Sequence, residues 1–464
     1  MSELPSNWKT VGLLDISMLV RGVTYTKNDA SEVAFDGSTP VLRANNIQDR
    51  KFVLSDLVYV PNSLVSEAQQ ISIGDVVVAT SSGSINVVGK AAQARVDMQA
   101  GFGAFCALLR PCSEVNAKYF GHYFSTDAYR MSVSAMARGV NINNLKKDHF
   151  EKLVLPLAPL NEQKRIADKL DSILARVDAC RERLDRIPVI LKRFRQAVLA
   201  AATSGKLTEN WRQGKNKWIL LKAEDICEWI TKGTTPPKSS MYEENGDVPY
   251  IKVYNLCFDG ELDFTIKPTF VDKVTHEVLL KRSKVFPGDV LMNIVGPPLG
   301  KVSIVPNSFS EWNINQAIAV FRVKGKIYNR FLAYFLMCDS TIVGLIKKSK
   351  ATAGQFNLTL EICRQIEVPL PSMEEQHEIV RRVEALFAYA DRIEARYHAA
   401  RARVDKLTPA ILAKAFRGEL VPQDPNDEPA SVLLERIRAS RAEDAASLKP
   451  KRSLGKKIKA TSKN

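Results

Sequence analysis

Pro156-Leu-Ala-Pro-Leu-Asn-Glu-Gln163 returns 213 residues later as Pro369-Leu-Pro-Ser-Met-Glu-Glu-Gln376. The correspondence continues without a gap to Leu207 and Leu420, and fourteen of the 52 paired positions are identical. One constant offset over that length marks a duplicated structural unit, and repeats bear on architecture before any local propensity does. It divides the chain into 1–155, 156–212, 213–368, 369–425 and 426–464. Two variable regions alternate with two like connectors, and a short tail follows.

The connectors read as helices. Apolar residues fall at Ile166, Leu170, Ile173, Val177, Cys180, Leu184 and Ile187, in steps of four and three. The second repeat places Ile379, Val383, Leu386, Ala390, Ile393, Tyr397 and Ala400 in the same register. Such spacing is the a/d seam of a coiled coil. Asn161 and Ser372 suit N-caps, and Ser372 with Glu375 has capping-box spacing. Pro188 and Pro409 are expected to kink or break their helices. Gly205 and Gly418 suit left-handed C-caps. At 1.5 Å per residue the run from 161 to 187 spans about 40 Å. The first helix leaves one domain for the next, and the second starts where that domain ends. Paired seams therefore run antiparallel, with a globular domain at each end.

The variable regions share landmarks. Pro40-Val-Leu-Arg43-Ala-Asn45-Asn46-Ile47 resembles Pro249-Tyr-Ile-Lys252-Val-Tyr254-Asn255-Leu256. Gly74-Asp75 matches Gly288-Asp289, Gly89-Lys90 matches Gly300-Lys301, and Phe105–Arg110 matches Ala317–Arg322. Short β-branched runs broken by Gly, Pro, Asn and Asp read as strands and turns. A helical period appears over 119–131 and 328–346. The expected fold class is α+β: two globular α/β domains joined by two long antiparallel coiled-coil helices, with internal pseudo-twofold symmetry.

The net charge is +15, in a chain that is 45% hydrophobic and 25% charged. That balance is ordinary for a globular protein, and the excess positive charge suits a polyanion. No 18-residue apolar run exists, so no membrane span is expected. Seven scattered cysteines without a C-x-x-C pair suit a reducing cytoplasm.

Several loop clusters carry the side chains that read base edges and phosphates. In the first region they are Arg43, Asn45, Asn46 and Lys51, then Ser81, Ser82 and Lys90, then Arg138, Asn141, Asn143 and Asn144. In the second they are Lys252, Tyr254 and Asn255, then Asn293 and Lys301. Asn315, Gln316, Lys348, Gln355 and Asn357 complete the set. Asparagine and glutamine pair with adenine, arginine and lysine with guanine, and lysine meets phosphate. The competing reading makes the Asn and Gly residues simple turn formers.

Catalytic signatures are lacking. The Pro-Pro pairs at 236–237 and 297–298 do not sit in an amino-methyltransferase motif, and the five histidines have no metal spacing. Gly83 to Lys90 misses the phosphate-loop spacing by one residue.

From Trp8 to about Leu420 the chain resembles a specificity subunit of a type I restriction–modification system, in the enterobacterial K-type branch. Besides Pro156–Gln163, the carrying segments are Ile190-Leu-Lys-Arg-Phe-Arg-Gln-Ala-Val-Leu199, Gly205-Lys-Leu-Thr208 and Ala410-Ile-Leu-Ala-Lys-Ala-Phe-Arg-Gly-Glu-Leu420. Arg21-Gly-Val-Thr-Tyr25 and Leu42-Arg-Ala-Asn-Asn-Ile-Gln48 add to it. The resemblance implies that each domain reads half of a split, asymmetric site in double-stranded DNA and that the helices set the unread gap. It implies two copies of a modification subunit as partners, with restriction subunits in the full complex. S-adenosylmethionine, ATP and Mg would lie on those partners and no cofactor on this chain. Two alternatives are a solitary DNA-modifying enzyme and a protein-only coiled-coil adaptor. The basic tail, 446–464, departs from the resemblance, and a short helix is expected before it over 431–443.

Overall fold

The computed structural model describes residues 4–137, 143–212, 217–244, 246–352 and 355–447. The chain forms two compact units, one of residues 1–183 with 400–464 and one of residues 184–399.

In the first unit, strands β1 (Ser17–Arg21), β2 (Val76–Ala79), β3 (Ala91–Gln93) and β4 (Cys106–Pro111) form an antiparallel sheet in the order β1-β4-β2-β3. The run Val76-Val77-Val78-Ala79 is buried on both faces. Successive strand residues point to opposite sides. Val76 and Val78 therefore enter a core with Tyr119 and Phe120, while Val77 and Ala79 enter a second with Leu42 and Phe102. In the second unit β5 (Cys227–Lys232), β6 (Val290–Asn293), β7 (Val302–Ile304) and β8 (Ile318–Val323) repeat the plan as β5-β8-β6-β7. Val290 and Met292 face one core and Leu291 another. Each unit also has a parallel pair of strands, Gly101–Phe102 with Ser38–Leu42 and Val248–Ile251 with Trp312–Ile314.

Each globular part is closed by its own ends. Lys9–Gly12 pairs antiparallel with Val154–Leu157, and Ile219–Lys222 with Glu367–Leu370. Each helical stretch foreseen inside the domains splits in two, Ala117–Tyr123 with Asp127–Met136 and Asn329–Met337 with Asp339–Lys348. Thr126 explains the first break, because its hydroxyl accepts from the Tyr129 N–H and starts a new helix.

The connectors are α1 (Leu160–Asp185), α2 (Ile187–Thr203) and α3 (Met373–Ala415). In the first unit, Arg181 on α1 reaches Asp405 on α3 at 3.4 Å. The earlier Ile166 and Leu170 share a core with the later Leu412 and Phe416. In the second unit Arg195 lies 2.7 Å from both Asp391 and Glu394, and Arg382 donates to the Leu207 carbonyl. Later residues on one side meet earlier residues on the other in both units, which is antiparallel packing.

Three helix expectations change. α1 starts at Leu160, so Asn161 lies inside its first turn and does not cap it. The buried side of α1 runs Ile166, Leu170, Leu174 and Val177, with Ile173 and Leu184 only half-buried and Cys180 exposed. A straight helix turns 3.6 residues per turn and drifts off a 3.5-residue seam. On α3, Ile379 and Val383 are buried, whereas Leu386 and Ile393 are half-buried. Pro188 does start a new helix, at its first turn, where a missing N–H costs nothing. Pro409, by contrast, sits inside a continuous α3. Gly205 and Gly418 adopt φ of 77° and 76°, the left-handed conformation expected of them.

The last described helix, α4 (Ala430–Ser447), packs on the first unit. Ala430, Leu433 and Ile437 are buried in its core, and Arg441 donates to the carbonyls of Leu14 and Asp15. Among the described residues no helix is long and apolar enough to cross a membrane.

Candidate nucleic-acid interface

The scaffold beneath the candidate surface is duplicated in its polar chemistry. Glu162 accepts from the Trp8 indole at 2.9 Å and from Gln423. Glu375 accepts from the Trp218 indole at 3.0 Å, from Thr208 at 2.7 Å and from Arg212 at 2.9 Å. Burial pushes the Glu162 carboxyl above its usual range, while the Trp8 and Gln423 hydrogen bonds oppose that shift. Gln163 accepts from the Asn116 N–H and donates to Ala158 O. Gln376 accepts from the Tyr328 N–H and donates to Pro371 O. The Glu thus fastens each connector to the start of its domain, and the Gln fastens it to the residue before a helix within that domain. Asp75 and Arg110 form a two-pronged ion pair, as do Asp289 and Arg322. Such paired geometry is the strong form of the contact.

Asn46 and Asn255 are scaffold too. Each accepts from the N–H three residues earlier, of Arg43 or Lys252, and donates to two carbonyls beyond. Both are buried. Asn293 is buried as well, with its amide on Val295 O and Pro298 O and its oxygen on the Lys301 N–H. Turn chemistry occupies the polar atoms of all three, which leaves them no surface for a base.

Several of the remaining candidates are brought together by the fold. In the first unit, Asn45, Ser82 and Lys90 line one cavity together with Gln48, which no sequence pattern singles out. Ser81–Ser82 pairs antiparallel with Asn143–Asn144, which brings two distant loops side by side. Lys51 is exposed, and Arg43 is half-buried with its guanidinium on Asp56 O. Arg138 and Asn141 lie outside the described residues. In the second unit, Val295–Gly296 pairs with Gln355–Asn357, the counterpart of that two-loop sheet. Lys252 lies over the Tyr254 ring at 5.9 Å, and Lys301 over Phe258 at 5.8 Å. Gln316 and Lys348 are exposed and Asn315 is half-buried. Thr235 donates to Gln316. No spacing rule links 235 to 316. Only the fold does.

His276, Glu277 and Glu311 form one acidic cluster with metal-like donors. The ammonium of Lys284 lies 2.8 Å from both Glu277 oxygens and 3.5 Å from Glu311, so a side-chain cation already offsets part of its negative charge. His276 is buried with its ring nitrogens on Asn313 and Glu311.

Two like scaffolds with unlike exposed loops, joined by long paired helices, define a two-module recognition protein. The profile of the type I restriction modification DNA specificity domain matches residues 5–188 and again 215–399, and the chain belongs to that family. The chain is 38% identical to the Escherichia coli K12 type I restriction enzyme EcoKI specificity subunit over 452 residues, covering 95% of this chain and 97% of that protein. It is 37% identical to the StySPI specificity subunit of Salmonella potsdam, covering 95% and 96%. Among solved structures, a chain from work on complex assembly and conformational transition of the type I restriction–modification system superposes with a TM-score of 0.69 at 20% identity, over 90% of this chain and 100% of that one. The HsdS subunit of Thermoanaerobacter tengcongensis gives 0.55 at 19%, over 90% and 98%. These two likenesses concern the fold.

Proposed function

We propose that this chain is the DNA sequence-specificity subunit of a type I restriction–modification complex, reading a bipartite, asymmetric site with a fixed unread gap. It has no catalysis of its own. Region 1–155 reads one half-site and region 213–368 the other. Connectors 156–212 and 369–425 set the spacing, and 426–464 is the tail. The observation that carries this reading is the repeated scaffold, with the same Glu-Gln fastening, the same Asp–Arg pair and the same two-loop sheet under different exposed side chains. Loops on a constant frame are where recognition varies.

The readers in the first half are Asn45, Lys51, Ser81, Ser82, Lys90, Asn143 and Asn144, with Arg43, Arg138 and Asn141. In the second they are Lys252, Tyr254, Lys301, Asn315, Gln316, Lys348, Gln355 and Asn357. Two modification subunits dock on the repeated connectors, since two equivalent faces suit two copies of one partner. Restriction subunits complete the complex. S-adenosylmethionine, ATP and Mg belong to those partners, and the complex works on cytoplasmic DNA. Sequence selection with the assembled methyltransferase tests this reading. The expected product is two unlike short motifs at one constant separation; an uninterrupted or palindromic motif overturns it.

A further inference from the structure

One turn is built identically in the two units and carries opposite chemistry. In the first it is Gly103-Ala104-Phe105, and in the second Asn315-Gln316-Ala317. Four backbone hydrogen bonds match. Gly103 N–H donates to Leu42 O at 2.9 Å, and Asn315 N–H to Ile251 O at 3.0 Å. Cys106 N–H donates to Gly103 O at 2.8 Å, and Ile318 N–H to Asn315 O at 3.1 Å. Thr80 N–H and Ile294 N–H each donate, at 2.8 Å, to Phe105 O and Ala317 O. Val23 N–H donates to Phe102 O at 2.7 Å, and Thr234 N–H to Ile314 O at 3.2 Å.

A glycine clamps each turn from behind. A Cβ on Gly22 would lie 2.0 Å from Gly103 O, and one on Gly233 would lie 2.2 Å from Asn315 O. Backbone packs on backbone, so neither turn can retreat to accommodate a side chain. The frame is rigid and the side chains are free to differ.

They do differ. Phe105 is 69% exposed, a large apolar ring on a polar loop surface. The Phe105 carbonyl also accepts from the Ser81 N–H, which places the turn beside the Ser81–Ser82 and Asn143–Asn144 pairing. In the second unit the turn offers amides. Gln316 is exposed and held by the Thr235 hydroxyl, whereas Asn315 is half-buried and its Oδ1 is shielded from solvent.

An exposed aromatic with no polar atom gains from apolar contact, whereas an amide gains from a hydrogen-bonding base edge. On a B-form major groove these are the thymine methyl and the adenine N6/N7 edge. Resting on the reading of two half-sites given above, we infer that this turn carries a specificity residue in both domains: Phe105 contacts a thymine methyl in the first half-site, and Gln316 pairs with adenine in the second.

The test uses the assembled methyltransferase and its selected DNA site. Each thymine is replaced in turn by deoxyuridine, which removes only the methyl group. The wild-type complex should lose about 10-fold in affinity at one position of the first half-site. Phe105→Ala should bind thymine and uracil there equally, with second-half selectivity intact. Gln316→Ala should relax one adenine position in the second half-site and nothing in the first. Phe105 is exposed, and an unchanged unfolding midpoint for Phe105→Ala would tie the effect to contact. If Phe105→Ala lowers affinity equally for unrelated DNA, or uracil is tolerated everywhere by the wild type, the inference fails while the two-half reading stands. If selection yields no bipartite site, that wider reading fails first.

Discussion

Glu375 receives three donors, from Trp218, Thr208 and Arg212, and the first two belong to segments the sequence separates from it by 157 and 167 residues. The repeat made Glu162-Gln163 and Glu375-Gln376 visible, but not their partners, because single-sequence periodicity holds no long-range pairing. Glu375→Ala strands buried donors, and the expected loss is about 2–4 kcal/mol in denaturant unfolding. His122 is equally hidden in the sequence. It is buried, its Nε2 lies 2.9 Å from Asp171, and burial pushes its pKa down to about 4, against the pull of Asp171 toward a higher value. The unfolded chain protonates near 6.5 while the folded chain resists until about 4. Stability therefore rises with pH across that window and levels off above it, by at most about 3 kcal/mol. His122→Gln should flatten that stretch of the pH–stability curve. Asn46, Asn255 and Asn293 show the opposite limit. Their residue type fits both a base reader and a turn former, and only burial separates the two.

The helical connectors were legible because an apolar period survives any choice of partner. Their capping glycines were legible because a left-handed residue is nearly always Gly. The burial pattern past Val177 was not, since it depends on which domain surface the helix meets. Pro409 is the clearest gap at this scale. It lies within α3, where it can donate no hydrogen bond to the preceding turn. Pro409→Ala should restore that bond and raise stability by about 1–3 kcal/mol, read as a higher unfolding midpoint. Deleting one turn of α1 between 167 and 185 shortens the connector by about 5 Å. The expected result is a changed gap length in sequence selection or loss of assembly. Recovery of the original gap at full affinity would contradict a spacing role.

At the level of the molecule, the division into two variable regions and two connectors could be read from one offset, and the common plan of the domains from scattered landmarks. The place of α4 could not. Nothing in Ala430–Ser447 says that it meets Asn7 and Leu14, yet Leu433 and Ile437 are buried there. Each such side chain contributes about 2 kcal/mol, so ending the chain at residue 429 should lower the stability of the first unit and leave the second unaffected. Hydrogen exchange resolved by peptide would register the difference. Replacing 213–368 by the matching region of a relative should alter one half of the selected motif alone.

Lys9–Gly12 against Val154–Leu157, and Ile219–Lys222 against Glu367–Leu370, bring the two ends of each recognition module side by side. A module whose two ends meet in this way can be exchanged as a single unit, and the incoming version meets the same pair of anchoring strands. New target sequences can then arise by recombination in one step, without any accompanying change in the proteins that carry out the chemistry.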